Sequence, residues 1–110
     1  MAAETGELSE IGMIVIEGTV RINPDRLEAA RPAMQKVVLA SRAEPGCIDY
    51  AYAADLIEPD LIRVSERWQD RDSLKAHFQT LHMAEWRSTW PSLNIHARSL
   101  RLYEADPEDI

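Results

Sequence analysis

Among the residues of this 110-residue chain, three histidines, His77, His82 and His96, titrate ordinarily closest to neutral pH. His77 stands out because Leu74, His77, Phe78 and Leu81 recur at helical spacing on one face. A polar ring on a face that must pack needs a partner or a ligand. The chemistry open to such an imidazole is to take a proton from a bound molecule; a hydrogen-bonded core histidine is the competing reading. Glu66 shares strand parity with Val64 and Trp68, so it points to the same side, where a carboxylate can orient His77 or serve a structural ion pair. Trp68 offers a flat wall and an indole N–H, and Tyr50 and Tyr52 offer phenol donors, unless all three simply fill the core.

The other candidates carry less. His82 is expected in the turn joining two pieces of the second helix, in a capping or surface role. Trp86 and Trp90 are i, i+4 neighbours suited to packing over a pocket mouth or at a subunit contact. On a continuous helix His77 and His82, five apart, fall about 140° from one another, so no metal site is expected. No glycine-rich phosphate loop or nucleophile elbow is present in the sequence.

The elements that must position these residues follow from periodicity. Met13 to Ile22 alternates as a strand, with Ile14, Ile16, Val20 and Ile22 on one parity. Asn23-Pro24-Asp25 is a helix start, and Leu27, Ala30, Met34, Val37 and Val38 share a face of a helix reaching about Ala43, with Pro32 expected to bend it. Glu44-Pro45-Gly46 ends that helix. Cys47 to Ala53 and Leu61 to Trp68 form a hairpin around Glu58-Pro59-Asp60, with Ile48, Tyr50 and Tyr52 expected on one side. Asp70 or Asp72 caps the second helix, Pro91 is expected to stop it, and Ile95 to Tyr103 is the last strand.

This order, β-α-β-β-α-β, is the ferredoxin-like α+β arrangement: a four-stranded antiparallel sheet with its helices on one face. The free face, with Met13, Val15 and Leu61, favours a second copy laid against it, giving a dimeric α/β barrel. We expect one domain over residues 12–104, an N-terminal tail over 1–11 and an acidic C-terminal tail over 105–110.

Composition narrows the partners. Twelve basic against nineteen acidic residues leave a net charge of −7, which disfavours nucleic acid and anionic membranes, and no apolar run approaches bilayer length. A lone cysteine, Cys47, forms no internal disulfide, and the acidic N-terminus lacks the pattern of a secretory signal, so a cytoplasmic address is expected.

Three segments then carry a resemblance: Gly46-Cys47-Ile48-Asp49-Tyr50, Glu66-Arg67-Trp68-Gln69-Asp70, and Ser73 to Met83 (SLKAHFQTLHM). In this order on this pattern they resemble the antibiotic-biosynthesis monooxygenase family, particularly its small quinol-monooxygenase-like members, across Met13 to Leu102. The resemblance implies oxygenation of a quinol or phenolic polyketide by O2 with no flavin, haem or metal, in a homodimer. Such a reaction needs a base that makes the substrate anionic and a pocket that excludes water. The implied catalytic set is His77, Trp68 and Glu66, with Tyr50, Tyr52, Val64, Leu74 and Phe78 about the substrate.

The chain departs from two branches of that family. Val64 and Leu74 stand where the polyketide-phenol branch has asparagine and tyrosine, and Gly18, His77 and Arg87 stand where the haem-degrading branch has asparagine, tryptophan and histidine. Two other readings stay open: an isomerase of a small carbonyl compound using the same base, and a non-catalytic dimer that binds a small apolar ligand.

Overall fold

The computed structural model describes residues 12–110, so the proposed tail over 1–11 lies outside the described residues. Strand β1 (Met13–Arg21) buries Ile14, Ile16 and Val20, as its alternation requires. A short 3-10 turn, Pro24–Arg26, follows; the Asn23 side chain accepts from the Asp25 amide at 2.9 Å, and Pro24 occupies a position where no N–H is needed. Helix α1 (Leu27–Arg42) buries Ala30, Met34 and Val37 on one stripe. Pro32 lies inside it, and the helical run continues through it.

The chain then turns through Glu44-Pro45-Gly46 into β2 (Cys47–Ala54), which pairs with β3 (Leu61–Trp68). Gly46 has φ +82°, and a side chain there would sit 2.1 Å from Ser73 Oγ, so both the turn and the close approach of the next helix require glycine. Cys47 pairs with Trp68 and Asp49 with Arg67, which leaves Ile48 as an extra residue. This bulge corrects the simple alternation: Cys47 turns inward, Ile48 is half exposed, and Tyr50 still reaches the core.

The second helical region is broken. Helix α2 (Arg71–Phe78) starts on Asp70, whose side chain accepts from the Ser73 amide at 2.8 Å. It ends at Gln79, and Thr80 caps a separate helix α3 (Leu81–Ser88) by accepting from the Met83 amide. Leu81 therefore leaves the buried face it shares on a continuous helix and is exposed, and Phe78 is partly exposed. Pro91, expected as a stop, instead sits in the first turn of a last short helix, α4 (Trp90–Leu93), which ends on Asn94 in the left-handed region at φ 56°.

Strand β4 (His96–Ala105) completes an antiparallel sheet of order β2-β3-β1-β4. It runs tight against β1: a side chain at Gly18 would lie 2.0 Å from the Ser99 carbonyl oxygen. Between Thr19↔Ser99 and Arg21↔His96 the register shifts, and Ala97 there takes φ 52°.

All helices cover one face. One core cluster packs α1 and α3 onto Val20, Ile22 and Ile62; a second gathers Ile14, Ile16, Tyr50, Trp68 and Leu74; Val38 and Tyr52 touch both. The opposite face is less apolar than expected. By register it carries Val15 and Tyr103 but also Glu17, Arg63, Arg67 and Arg101, while Leu61, expected on the open face, is buried at the hairpin end. No helix among the described residues is long and apolar enough to cross a membrane.

Candidate functional site

His77 is fully buried at the end of α2 and lies over the sheet, with ring centroids 4.7 Å from Trp68 and 5.3 Å from Tyr50. Its Nδ1 donates to Glu44 Oε2 at 2.7 Å. A carboxylate oxygen only accepts, so Nδ1 carries the hydrogen and Nε2 of the neutral ring is a bare lone pair. That Nε2 is buried and has no hydrogen-bond partner. Burial pulls the His77 pKa below its usual 6.5, outweighing the Glu44 hydrogen bond and charge that raise it. The ring is therefore an uncharged acceptor at neutral pH, held in one tautomer.

Glu44 was not among the residues sequence reasoning put in the site. The carboxylate expected to orient His77 was Glu66, yet Glu66 Oε1 accepts from Trp68 Nε1 at 2.9 Å. Glu66 is buried as its parity requires, and burial pushes its carboxyl above the ordinary range. His82 Nε2 donates to the same Glu44 Oε2, also at 2.7 Å. The 140° separation expected of His77 and His82 does not hold, because the break at Gln79-Thr80 swings His82 round to the carboxylate. His77, Glu44 and His82 thus run from full burial through 10% to 20% side-chain exposure, a line from core to solvent. Their three ligand atoms lie within 4.8 Å of one another, and imidazole and carboxylate are ligands a divalent cation accepts. As they stand, the two N–H groups satisfy one oxygen between them.

His77 lines a cavity of about 250 Å³ between the sheet and the broken helix. Val20, Val64 and Leu100 form its sheet side, and Tyr52, Phe78, Trp86 and Trp90 give it an aromatic wall. Trp86 and Trp90 meet edge to face with centroids 6.2 Å apart. Tyr50 and Tyr52 also line it, their hydroxyls 3.0 Å apart, and desolvation raises the Tyr52 phenol to about 12, so both stay protonated at neutral pH. Glu66, Arg87 and Arg98 supply the charged groups. A larger recess of about 380 Å³ lies between α1 and β2, but its cations are engaged, Arg31 by Glu28 and Arg42 by the Tyr50 carbonyl, and it presents no base.

The expected residues therefore divide. His77, Glu66, Tyr50, Tyr52, Val64 and Phe78 share the cavity. Trp68 and Leu74 do not: Trp68 is wholly buried with its N–H spent on Glu66, and Leu74 packs in the core beside it. Trp68 thus holds Glu66 and backs the His77 ring and does not form a stacking wall. Of the cavity's cations, Arg98 was not singled out from the sequence, although alternation along β4 puts it on the same side as Leu100.

Comparison with known proteins gives consistent results. Residues 13–89 match the family model described as "Antibiotic biosynthesis monooxygenase". A Synechocystis protein, sll1783, is 32% identical over 91 residues, covering 83% of this chain but only 62% of that relative's length. The Bacillus subtilis protein named "Putative monooxygenase YcnE" is 30% identical over 70 residues, 64% of this chain and 74% of that one. A Deinococcus radiodurans crystal structure described as a "putative antibiotic biosynthesis monooxygenase" superposes with TM-score 0.80 at 23% identity, over 89% of this chain and 96% of that one.

Proposed function

We propose that this chain, which belongs to the antibiotic biosynthesis monooxygenase family, oxygenates a small quinol or phenol with O2, using His77 as the base. One observation carries the reading: the buried, unpartnered Nε2 of His77 on the wall of an aromatic cavity, its other nitrogen fixed by Glu44. A bare lone pair left unsatisfied in a protein interior costs about 1–3 kcal/mol, which a substrate hydroxyl donated to it recovers.

The steps balance as follows. Nε2 takes the hydroxyl proton of a hydroquinone, leaving an anion held in a largely apolar site. The anion gives one electron to dioxygen, and the resulting pair combines as a peroxide anion on the adjacent ring carbon. His77 returns its proton to the distal peroxide oxygen. Loss of that hydroxide with the ring C–H hydrogen, as water, leaves a carbonyl, so one oxygen atom ends in the product and the other in water. Glu44 steadies the imidazolium that forms in between, and of the Tyr50 and Tyr52 hydroxyls, which share one hydrogen bond, one keeps a proton to donate to the substrate oxygen.

The reading includes no added cofactor, a cytoplasmic setting for a chain with a single thiol, and a homodimer formed through the sheet face that no helix covers. Sedimentation at micromolar concentration tests the last point, a monomer counting against it. Oxygen uptake with a panel of reduced naphthoquinones, after subtraction of autoxidation, tests the first. The wild-type protein should accelerate uptake and His77→Ala should lose at least about 100-fold of that rate. Equal rates for the two proteins would remove His77 as the base.

A further inference from the structure

A second orphaned atom belongs to another residue of the same cavity. Trp90 Nε1 is buried and has no hydrogen-bond partner, and Trp90 lines the wall that His77 also lines. The two atoms are complementary: His77 Nε2 can only accept, and an indole N–H can only donate. One ligand that satisfies both must carry a donor, which for the proposed substrates is a hydroxyl, and, elsewhere on its frame, an acceptor.

The cations about the cavity say what kind of acceptor. Arg98 makes no hydrogen bond or ion pair with another described side chain, although it stands in an acidic chain of net charge −7. It reaches the cavity by plain alternation along β4, on the same side as Leu100 and opposite Val20. Arg87 stands beside the cavity too, with one N–H on the Phe78 carbonyl at 3.3 Å and its other donors free for a ligand. Against these two guanidiniums stands one carboxylate, Glu66, whose Oε1 is already occupied by Trp68.

We propose that the cavity selects a hydroxylated aromatic acid, its hydroxyl on His77 Nε2 and its carboxylate held by Arg98 and the Trp90 indole N–H. This rests on the reading of His77 as the catalytic base and adds the charge of the substrate. Guanidinium and carboxylate match in shape as well as charge, whereas a neutral quinol leaves Arg98 unused.

Equilibrium binding under anaerobic conditions tests this without turnover, read from the quenching of tryptophan fluorescence. The probes are 1,4-dihydroxy-2-naphthoate and 1,4-dihydroxynaphthalene, which differ by the carboxylate alone. The acid should bind about tenfold or more tightly than the neutral diol. Arg98→Gln should abolish that preference, and Arg98→Lys should keep part of it. Equal or tighter binding of the neutral diol overturns the proposal, as does a preference that survives Arg98→Gln or a failure of both probes to bind. If the neutral diol is preferred yet drives His77-dependent oxygen uptake, the charge selection fails while the monooxygenase reading stands; tight, Arg98-dependent binding of the acid with no oxygen uptake gives the reverse.

Discussion

His77 and His82 donate to the same oxygen of Glu44, each at 2.7 Å, although they lie on separate helices. The carboxylate comes from the turn before β2, so three chain segments meet at one atom, and the buried imidazole is fixed from the side away from the cavity.

Glu44→Gln tests whether that contact tunes a base. The base must be neutral to act, so activity should be full above the usual histidine value of 6.5 and fall as acid protonates His77 below it. Glu44 raises the His77 pKa, so Glu44→Gln should move the acid limb of kcat/KM to lower pH while lowering kcat by about 10–100-fold. A lowered rate with an unmoved limb would mean that Glu44 acts only on structure.

His77 should also leave its mark on folding. Its folded pKa lies below the unfolded 6.5, so the unfolded chain binds more protons in between. The contribution is fully present above 6.5 and is lost on acidification toward the lower folded value. Urea midpoints should therefore fall as pH drops below 6.5, and less so in His77→Gln. Parallel pH dependence in the two proteins would rule the residue out as a cause.

Glu66 has the opposite sign. Its folded pKa lies above the ordinary 4.5, so its favourable contribution is complete below 4.5 and is lost as pH rises through the folded value. Glu66→Gln keeps an acceptor for the Trp68 N–H and removes the buried charge. Its stability relative to the parent should grow as pH rises from 4.5 to neutrality; a flat difference would contradict the assigned burial cost.

Trp68→Phe separates a core tryptophan from a substrate wall. The change strands Glu66 Oε1 and opens space in a fully buried position, so stability should fall by about 2–4 kcal/mol in chemical denaturation. Binding of a naphthalene diol to the folded variant should change little, since Trp68 does not line the cavity. A large loss of affinity with unchanged stability would restore the stacking role.

Gly46→Ala should destabilise the fold by about 1–3 kcal/mol, because the new methyl group meets Ser73 Oγ at 2.1 Å in a left-handed turn. The displaced start of α2 should also slow oxygen uptake, since His77 rides on that helix. Unaltered stability would show that the turn relaxes freely.

The strands and the first helix were legible because each hides one face and repeats at its own period: Ile14, Ile16 and Val20 in β1, Ala30, Met34 and Val37 in α1. His77, Glu66 and the two tyrosines were found by the same parity. Glu44 was not, since it sits at a helix end 33 residues from its partner, where no periodicity links the two. The break between α2 and α3 left a trace in Thr80, a residue type suited to capping, yet the apolar spacing of Leu74, His77, Phe78 and Leu81 reads as continuous. The bulges at Ile48 and Ala97 left none, because an inserted residue in a strand changes which side chains face inward without changing their kinds.

The segments that carry Arg98 and His77 make guest selection separable from proton transfer. Arg98 rides on β4, while His77 is held on α2 by a carboxylate from the turn before β2. A neutral side chain in place of Arg98 would thus act as a dial for the polarity of what enters while leaving the imidazole and its anchor where they are.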